Sequence, residues 1–357
     1  MRNFVHDSHA VRTVFGVGAL DGLSAELEAM GLQRVLLLCT PRGAGAAQAL
    51  ADAMGTRASG IFAGAAMHVP RAVVDEAAEI VRERGVEGVL AYGGGSTIGL
   101  AKALALQHPL TVIAVPTTYA GSEMTPIYGI TEHGRKQTGS DRRVLPRLVL
   151  YDPALTLDLP VGVAVVSGLN ALAHAAEGLY ARDGNPVTDL MAQESIRVLA
   201  QGLPGLVDRP ADLAARADCL YGAWLAGMVL GGVGMALHHK LCHTLGGSFG
   251  LPHAQTHAVV LPYVLAYNAP AIPAALLRIG QALGTTPAQV PAALQALAVR
   301  LGAPRSLSEL GLPHDAIEQT VTLVMAQPYW NPQPLAHERL RRLMAAAHAG
   351  LMPEAVD

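Results

Sequence analysis

Ala91-Tyr92-Gly93-Gly94-Gly95-Ser96-Thr97-Ile98-Gly99 follows an apolar run at 88–92 and leads into an alanine-rich segment at 98–107. An apolar run of strand length, a glycine turn and a helix form the unit with which α/β sheets hold phosphate. Glycines there let the backbone approach a pyrophosphate, and the helix start supplies free N–H donors at the positive end of its dipole. Ser96 can cap the helix or bond a phosphate oxygen. A tight structural turn would read the same way, so the motif gains its weight from its surroundings.

Outward from this turn, short apolar runs at 13–16, 34–39, 111–115 and 148–151 read as further strands. Segments 44–54 and 73–84 carry apolar residues at helical spacing. Strands buried on both faces and separated by helices predict a parallel α/β sheet. The run at 111–115 continues as Pro116-Thr117-Thr118-Tyr119-Ala120-Gly121-Ser122-Glu123. Hydroxyls at the carboxyl end of a strand sit where such sheets bind ligands, so Thr117, Thr118 and Ser122 join Gly94, Gly95 and Ser96 as cofactor candidates. The run at 34–39 ends in Thr40-Pro41-Arg42-Gly43, with no acidic residue. A carboxylate there holds a ribose 2′-OH and repels a 2′-phosphate; Thr40 and Arg42 predict that NADPH is tolerated alongside NADH.

After Asp152-Pro153 the pattern changes. Segments 167–181, 186–203, 211–230, 270–283, 291–301 and 337–349 read as helices, with no convincing strand among them. The expected architecture is an α/β parallel-sheet dinucleotide-binding domain over 1–155 and an all-α catalytic domain over 156–357. The charge-free run 219–237 is long enough to span a bilayer. It holds five glycines, however, and runs into His238, His239 and Lys240. It is expected to be a buried, closely packed helix.

With 51% hydrophobic and 15% charged residues, the 357-residue chain is no disordered polymer. A net charge of -3 gives no basis for nucleic acid or an anionic membrane as a partner. The three cysteines, Cys39, Cys219 and Cys242, lie in apolar contexts. An odd count at irregular spacing suits buried thiols in a reducing compartment. The first seven residues lack the apolar core of a signal peptide, and the expected location is cytoplasmic.

Chemistry concentrates in the helical half. Asn170 and His174 stand four apart, hence on one helical face, and His239 and His243 repeat that spacing. A glycine-rich turn at 246–252 is expected to return the chain to His253, and His257 follows four residues on. Clustered imidazoles suit either metal binding or proton transfer near neutral pH.

Gly-Gly-Gly-Ser, Pro-Thr-Thr-x-x-Gly-Ser-Glu, Asp-Pro, Asn-Ala-Leu-Ala-His and His-x-x-x-His…Pro-His, in that order, resemble the iron-containing alcohol dehydrogenase family. The resemblance runs from about Val14 to the C-terminus, and it implies a homodimer. Metal-using members place Asp and His in the helix motif and two later histidines as ligands. Carried over, these positions are Asn170, His174, His239 and His253. His243 falls at the catalytic-histidine position beside the nicotinamide, and Lys136 matches a lysine that contacts the cofactor ribose. Asn170 departs from the pattern: an amide offers a weak neutral oxygen where a carboxylate offers charge. In this the chain resembles the maleylacetate reductase branch, for which no metal is expected.

The resemblance implies a small dianionic enone as substrate, with NADH or NADPH as cofactor. His243 is the first candidate for proton donor. His174, His239 and His253 would attract negative charge, and Tyr329 would donate to an oxyanion or supply a proton. Asn170, Tyr119, Lys240 and His257 are the candidates for holding the substrate. The alternative expectation is a metal-dependent alcohol or polyol dehydrogenase of the same family.

Overall fold

A computed structural model describes residues 4–132 and 135–354. The chain divides into two compact units, Ser8–Leu159 and, in the main, Pro160 onward. The first contains strands β1 (Arg12–Phe15), β2 (Val35–Leu38), β3 (Ala58–Phe62), β4 (Gly88–Gly93), β5 (Thr111–Pro116), β6 (Ile127–Glu132), β7 (Arg135–Ser140) and β8 (Leu148–Tyr151). Its α-helices are α1 (Leu23–Ala29), α2 (Ala44–Met54), α3 (Arg71–Glu83) and α4 (Gly95–Gln107).

Six strands form one sheet in the order β1-β8-β5-β4-β2-β3, every neighbouring pair parallel. β2 and β8 are buried along their whole length, as strands covered on both faces must be. Leu37, Leu90, Ile113 and Leu148 carry the core on one face. Three strands were not expected. β3, Ala-Ser-Gly-Ile-Phe, lies at the sheet edge and lacks a continuous apolar run. β6 and β7 pair antiparallel as a separate hairpin rich in polar residues.

The second unit contains helices and no strand among its described residues. It comprises α5 (Val161–Gly178), α6 (Pro186–Asp208), α7 (Leu213–Gly232), α8 (Leu237–Phe249), α9 (His253–Asn268), α10 (Pro273–Leu283), α11 (Val290–Arg300), α12 (Ala316–Ala326) and α13 (His337–Ala349). Asn185 and Thr188 start α6 with a capping box, and Pro186 occupies its first turn. α7 is long and apolar enough to cross a membrane by length and composition. Its Cys219, Leu220, Ala223, Ala226 and Val229 are nonetheless buried inside the unit. Gly222 allows the close approach of α6, since a Cβ there would lie 2.6 Å from the Cγ of Leu199.

Two sequence expectations are corrected here. The charge-free run 219–237 is not one helix: α7 ends at Gly232, Val233 is extended, and α8 starts at Leu237. The glycine-rich stretch 246–249 is the last turn of α8 rather than a loop. Only Gly250, left-handed at φ 69, ends it, its N–H donating to the Gly246 carbonyl.

Candidate active site

The cofactor candidates gather at the carboxyl ends of β2, β4 and β5, which are adjacent strands. The β4–β5 register runs to Gly93 opposite Pro116, and the Thr117 N–H donates to the Gly93 carbonyl at 3.0 Å. The Gly94 turn and the Thr118 turn therefore touch. A Cβ on Gly94 would sit 2.7 Å from the Cγ2 of Thr118, which explains the glycine. α4 starts at Gly95 without a side-chain cap, so its first N–H groups are available to an anion. The Thr97 hydroxyl is buried beside Gly93 and without a hydrogen-bond partner. These features fit a pyrophosphate. Thr40 and Arg42 follow β2, Arg42 exposed in a short 3-10 turn. Lys136 lies on β7 opposite Thr131; its side chain is outside the described residues.

Ser122 opens a 3-10 turn whose position is set from below by Lys102 of α4. The buried Lys102 ammonium donates to the carbonyls of Ser122, Thr125 and Ile127 at 2.6, 2.7 and 2.9 Å, and to the Thr125 hydroxyl at 3.0 Å. Burial pushes this lysine down to about 7, with Glu123 opposing the shift. Glu123 is itself fully buried and accepts from the Tyr151 hydroxyl at 2.8 Å. Sequence reasoning passed over both residues, although a lysine inside an alanine-rich helix is a signal. Tyr119, a candidate for holding the substrate, is fully buried, and its hydroxyl donates to Thr156 Oγ1 at 3.1 Å.

In the helical unit, α5, α8 and α9 bring the histidines together. Asn170, His174 and Glu177 share one face of α5, their spacing of four and three being one helical row. The amide nitrogen of Asn170 meets His174 Nε2 at 3.0 Å, and His174 Nδ1 meets His239 Nε2 at 2.9 Å. His239 Nδ1 then contacts Glu177 Oε2. Glu177 also accepts from the backbone N–H groups of His238 at 2.9 Å and His239 at 3.3 Å. It thus caps α8, which has no side-chain cap of its own. Burial pushes the Glu177 carboxyl up, while the backbone donors of α8 pull it back. Burial takes His239 down to about 3, so its imidazole is neutral.

Beneath this row, His238 Nε2 and His257 Nδ1 are 2.9 Å apart. Burial holds both imidazoles well below their ordinary value. His257, a candidate for holding the substrate, is therefore an interior member of the cluster. The exposed rim is different. His243 and His253 are exposed and stack with ring centroids 6.3 Å apart. His243 Nδ1 lies 3.3 Å from the Tyr329 hydroxyl, and Lys240 Nζ stands 5.5 Å from the Tyr329 ring centre. Asn331, two residues beyond Tyr329, accepts from the Leu237 N–H at 3.4 Å and pairs with Asn268. The loop carrying Tyr329 is thereby tied to the start of the helix carrying Lys240 and His243.

Ligating atoms of His174, His239 and His257 lie within 4.8 Å of one another, a separation that a zinc ion can bridge. His257 lies four residues further along α9 than His253, the position that the family resemblance carries over. The separations fit a cation, and the same nitrogens also make hydrogen bonds. His174 Nε2 faces an amide donor, and the His174–His239 contact engages a further nitrogen pair. Glu177, the carboxylate that touches the row, accepts backbone donors with both oxygens. His238, Cys242 and His257 also converge, but burial pushes the Cys242 thiol up and away from the thiolate a metal needs.

Residues 10–153 match the family described as iron-containing alcohol dehydrogenase, and residues 164–348 match the C-terminal part of the same family. The chain is 54% identical over 350 residues to a maleylacetate reductase of Sphingobium indicum, covering 98% of this chain and 99% of the relative. It is 52% identical to a maleylacetate reductase of Burkholderia cepacia over 353 residues, 99% of this chain and all of the relative. The crystal structure of maleylacetate reductase from Rhizobium sp. strain MTP-10005 superposes with a TM-score of 0.95 at 48% identity, over 99% of this chain and 100% of that one.

Proposed function

The chain belongs to the iron-containing alcohol dehydrogenase family, and from that membership we propose that this oxidoreductase reduces maleylacetate to 3-oxoadipate with NADH or NADPH. One observation carries the reading within the family: at the position of a metal-binding carboxylate stands Asn170, whose amide nitrogen faces His174 inside a cluster of buried imidazoles. Maleylacetate is an enone with a carboxylate at each end. A simple alcohol or aldehyde needs a Lewis acid to stabilise a developing alkoxide. An enone spreads the same charge into an enolate, which hydrogen-bond donors can stabilise. The cluster can therefore work without a metal.

NAD(P)H, when bound, would supply the hydride for the alkene carbon next to the distal carboxylate. The residues of this chain do the rest. Lys240 attracts a substrate carboxylate, and the Tyr329 hydroxyl donates to the oxygen that becomes the enolate. His243 delivers the proton to the carbon beside the ketone, completing 3-oxoadipate. It is exposed and recovers that proton from solvent. The 3.3 Å contact between His243 and Tyr329 lets the two share the donor role. At the other end of the reaction, Gly94, Gly95, Ser96, Thr117, Thr118 and Ser122 hold the dinucleotide. Arg42 leaves room for the 2′-phosphate of NADPH.

The test is an NADH-oxidation assay with maleylacetate, before and after exhaustive treatment with a strong chelator. Turnover is expected to survive chelation within about twofold, since no Lewis acid takes part. Loss of activity that returns with added metal would favour the metal-dependent alcohol dehydrogenase instead. NADPH is expected to support turnover in the same assay; its failure would remove the reading of Thr40 and Arg42.

A further inference from the structure

Four side chains form an unbroken row of contacts: Asn170, His174, His239 and Glu177. The two ends of the row are chemically unlike. At one end the Asn170 group facing His174 is the amide nitrogen, which can only donate. At the other end Glu177 Oε2, the atom that contacts His239 Nδ1, also accepts the His239 backbone N–H, and Oε1 accepts that of His238. The two oxygens thus face three donors of α8 when His239 carries its proton on Nδ1.

A donor at one end and an acceptor at the other leave one self-consistent arrangement of protons. His174 Nε2 accepts from Asn170, so the His174 proton sits on Nδ1. That Nδ1–H donates to His239 Nε2, so the His239 proton also sits on Nδ1, where it donates to Glu177. We propose that Asn170 and Glu177 together fix His174 and His239 as neutral Nδ1–H tautomers, with Glu177 as the positioning residue that aims the row and anchors α8.

This arrangement supplies a physical reason for excluding a cation. The lone pair of each imidazole is already engaged by a hydrogen bond from its neighbour. Exchanging the amide for a carboxylate would turn the first contact around. An aspartate at 170 accepts from His174 Nε2–H, His174 Nδ1 then accepts from His239 Nε2–H, and bare Nδ1 of His239 faces a carboxylate. Two acceptors then oppose each other in a site that excludes water, which is unfavourable. A divalent cation relieves that opposition. One amide atom thus decides whether the cluster is closed on itself or open to metal.

The inference concerns proton positions and does not depend on which enone is reduced. It is tested on the whole chelator-treated protein labelled with 15N-histidine, by resolving the two nitrogens of each imidazole in neutral buffer. His174→Gln and His239→Gln variants supply the assignments. The expected spectrum has bare Nε2 and protonated Nδ1 for both residues; protonated Nε2 on either one overturns the proposal. Glu177→Leu removes the acceptor outright, and His239 is expected to lose its pure Nδ1–H signature. Rescue of that signature by Glu177→Asp would separate positioning from mere packing, and an unchanged signature in a folded Glu177→Leu would overturn Glu177's part. Asn170→Asp is expected to move His174 to Nε2–H and to tighten Zn²⁺ binding, measured by chelator competition, at least about tenfold. An unchanged tautomer with unchanged affinity overturns the role of Asn170. If a variant fails to fold, the spectrum of the unmodified protein still decides.

Discussion

The two units of this molecule make their sites by opposite means. In the sheet unit the candidate cofactor site is mostly backbone and small side chains: Gly94 packed on Thr118, the uncapped start of α4, and hydroxyls at strand ends. A single charged strut beneath it, Lys102, spreads its ammonium over four oxygens. In the helical unit the candidate site is all side chain, with imidazoles from α8 and α9 set against the polar row of α5. Burial keeps the imidazoles of His238, His239 and His257 neutral, and the rim of the site carries Lys240, His243 and Tyr329. Binding an anionic dinucleotide asks for fixed dipoles and little else. Moving a proton asks for titratable groups whose neutral forms are held in defined orientations.

The sharpest way to break this contrast is at His243. If the rim carries proton transfer while the buried histidines only shape it, His243→Ala should lower kcat with maleylacetate by about 10²–10⁴-fold, with little change in the KM for NADH. Steady-state kinetics with each substrate varied in turn would show it. Near-normal turnover would move the proton donor elsewhere, with Tyr329 the next group to substitute. The corresponding break in the sheet unit is Lys102→Met. The Ser122 carbonyl keeps the Thr125 hydroxyl and N–H, and Thr125 Oγ1 keeps the Ile127 N–H. The carbonyls of Thr125 and Ile127 lose Lys102, however, and Glu123 loses the nearby positive charge, so a stability loss of about 3–5 kcal/mol is expected from the midpoint of urea unfolding. If the midpoint is unchanged, the strut is not what holds the 122–127 segment.

The contrast also explains what could be read from the chain alone. β2 and β8 are apolar on both faces and announce themselves as buried parallel strands. β3 carries Ala, Ser and Gly before its apolar end and sits at an edge, so nothing in it distinguishes a strand from a loop. The polar pairs were legible because helical spacing is local: Asn170 with His174, and His239 with His243. Glu177 was within reach of the same rule, being a lone carboxylate on the face already chosen. The pairing of His238 with His257, and the tie from Asn331 to Leu237 across 94 residues, depend on how helices meet and leave no local trace. His253 stood out by motif, yet it occupies the exposed first turn of α9, while His257, one turn deeper, joins the buried set.

A finer test of the backbone-built site is Gly94→Ala. The added Cβ would press into Thr118, an overpacking of about 1–3 kcal/mol. That strain should appear mainly as a KM for NADH raised on the order of tenfold, with kcat for bound cofactor much less affected. Adding Thr118→Ala in the same chain removes the methyl that the new Cβ would strike. The double variant should therefore recover part of the affinity. If it recovers none, the loss comes from the turn's own backbone rather than from the Thr118 contact.

The smallest expected effect belongs to Tyr119. Its neighbours Thr117 and Thr118 line the turn, but its own side chain points into the unit, and its hydroxyl meets Thr156. Thr156 is not left stranded by the loss, because it also donates to the Pro153 carbonyl at 2.8 Å. Tyr119→Phe should therefore cost about 0.5–1.5 kcal/mol of stability, the value of one buried neutral hydrogen bond, while the KM for maleylacetate stays where it was. The two readings of this residue separate cleanly on that pair of measurements. A hydroxyl that held a substrate carboxylate would raise KM and leave the unfolding midpoint alone; a hydroxyl that pins the turn does the reverse.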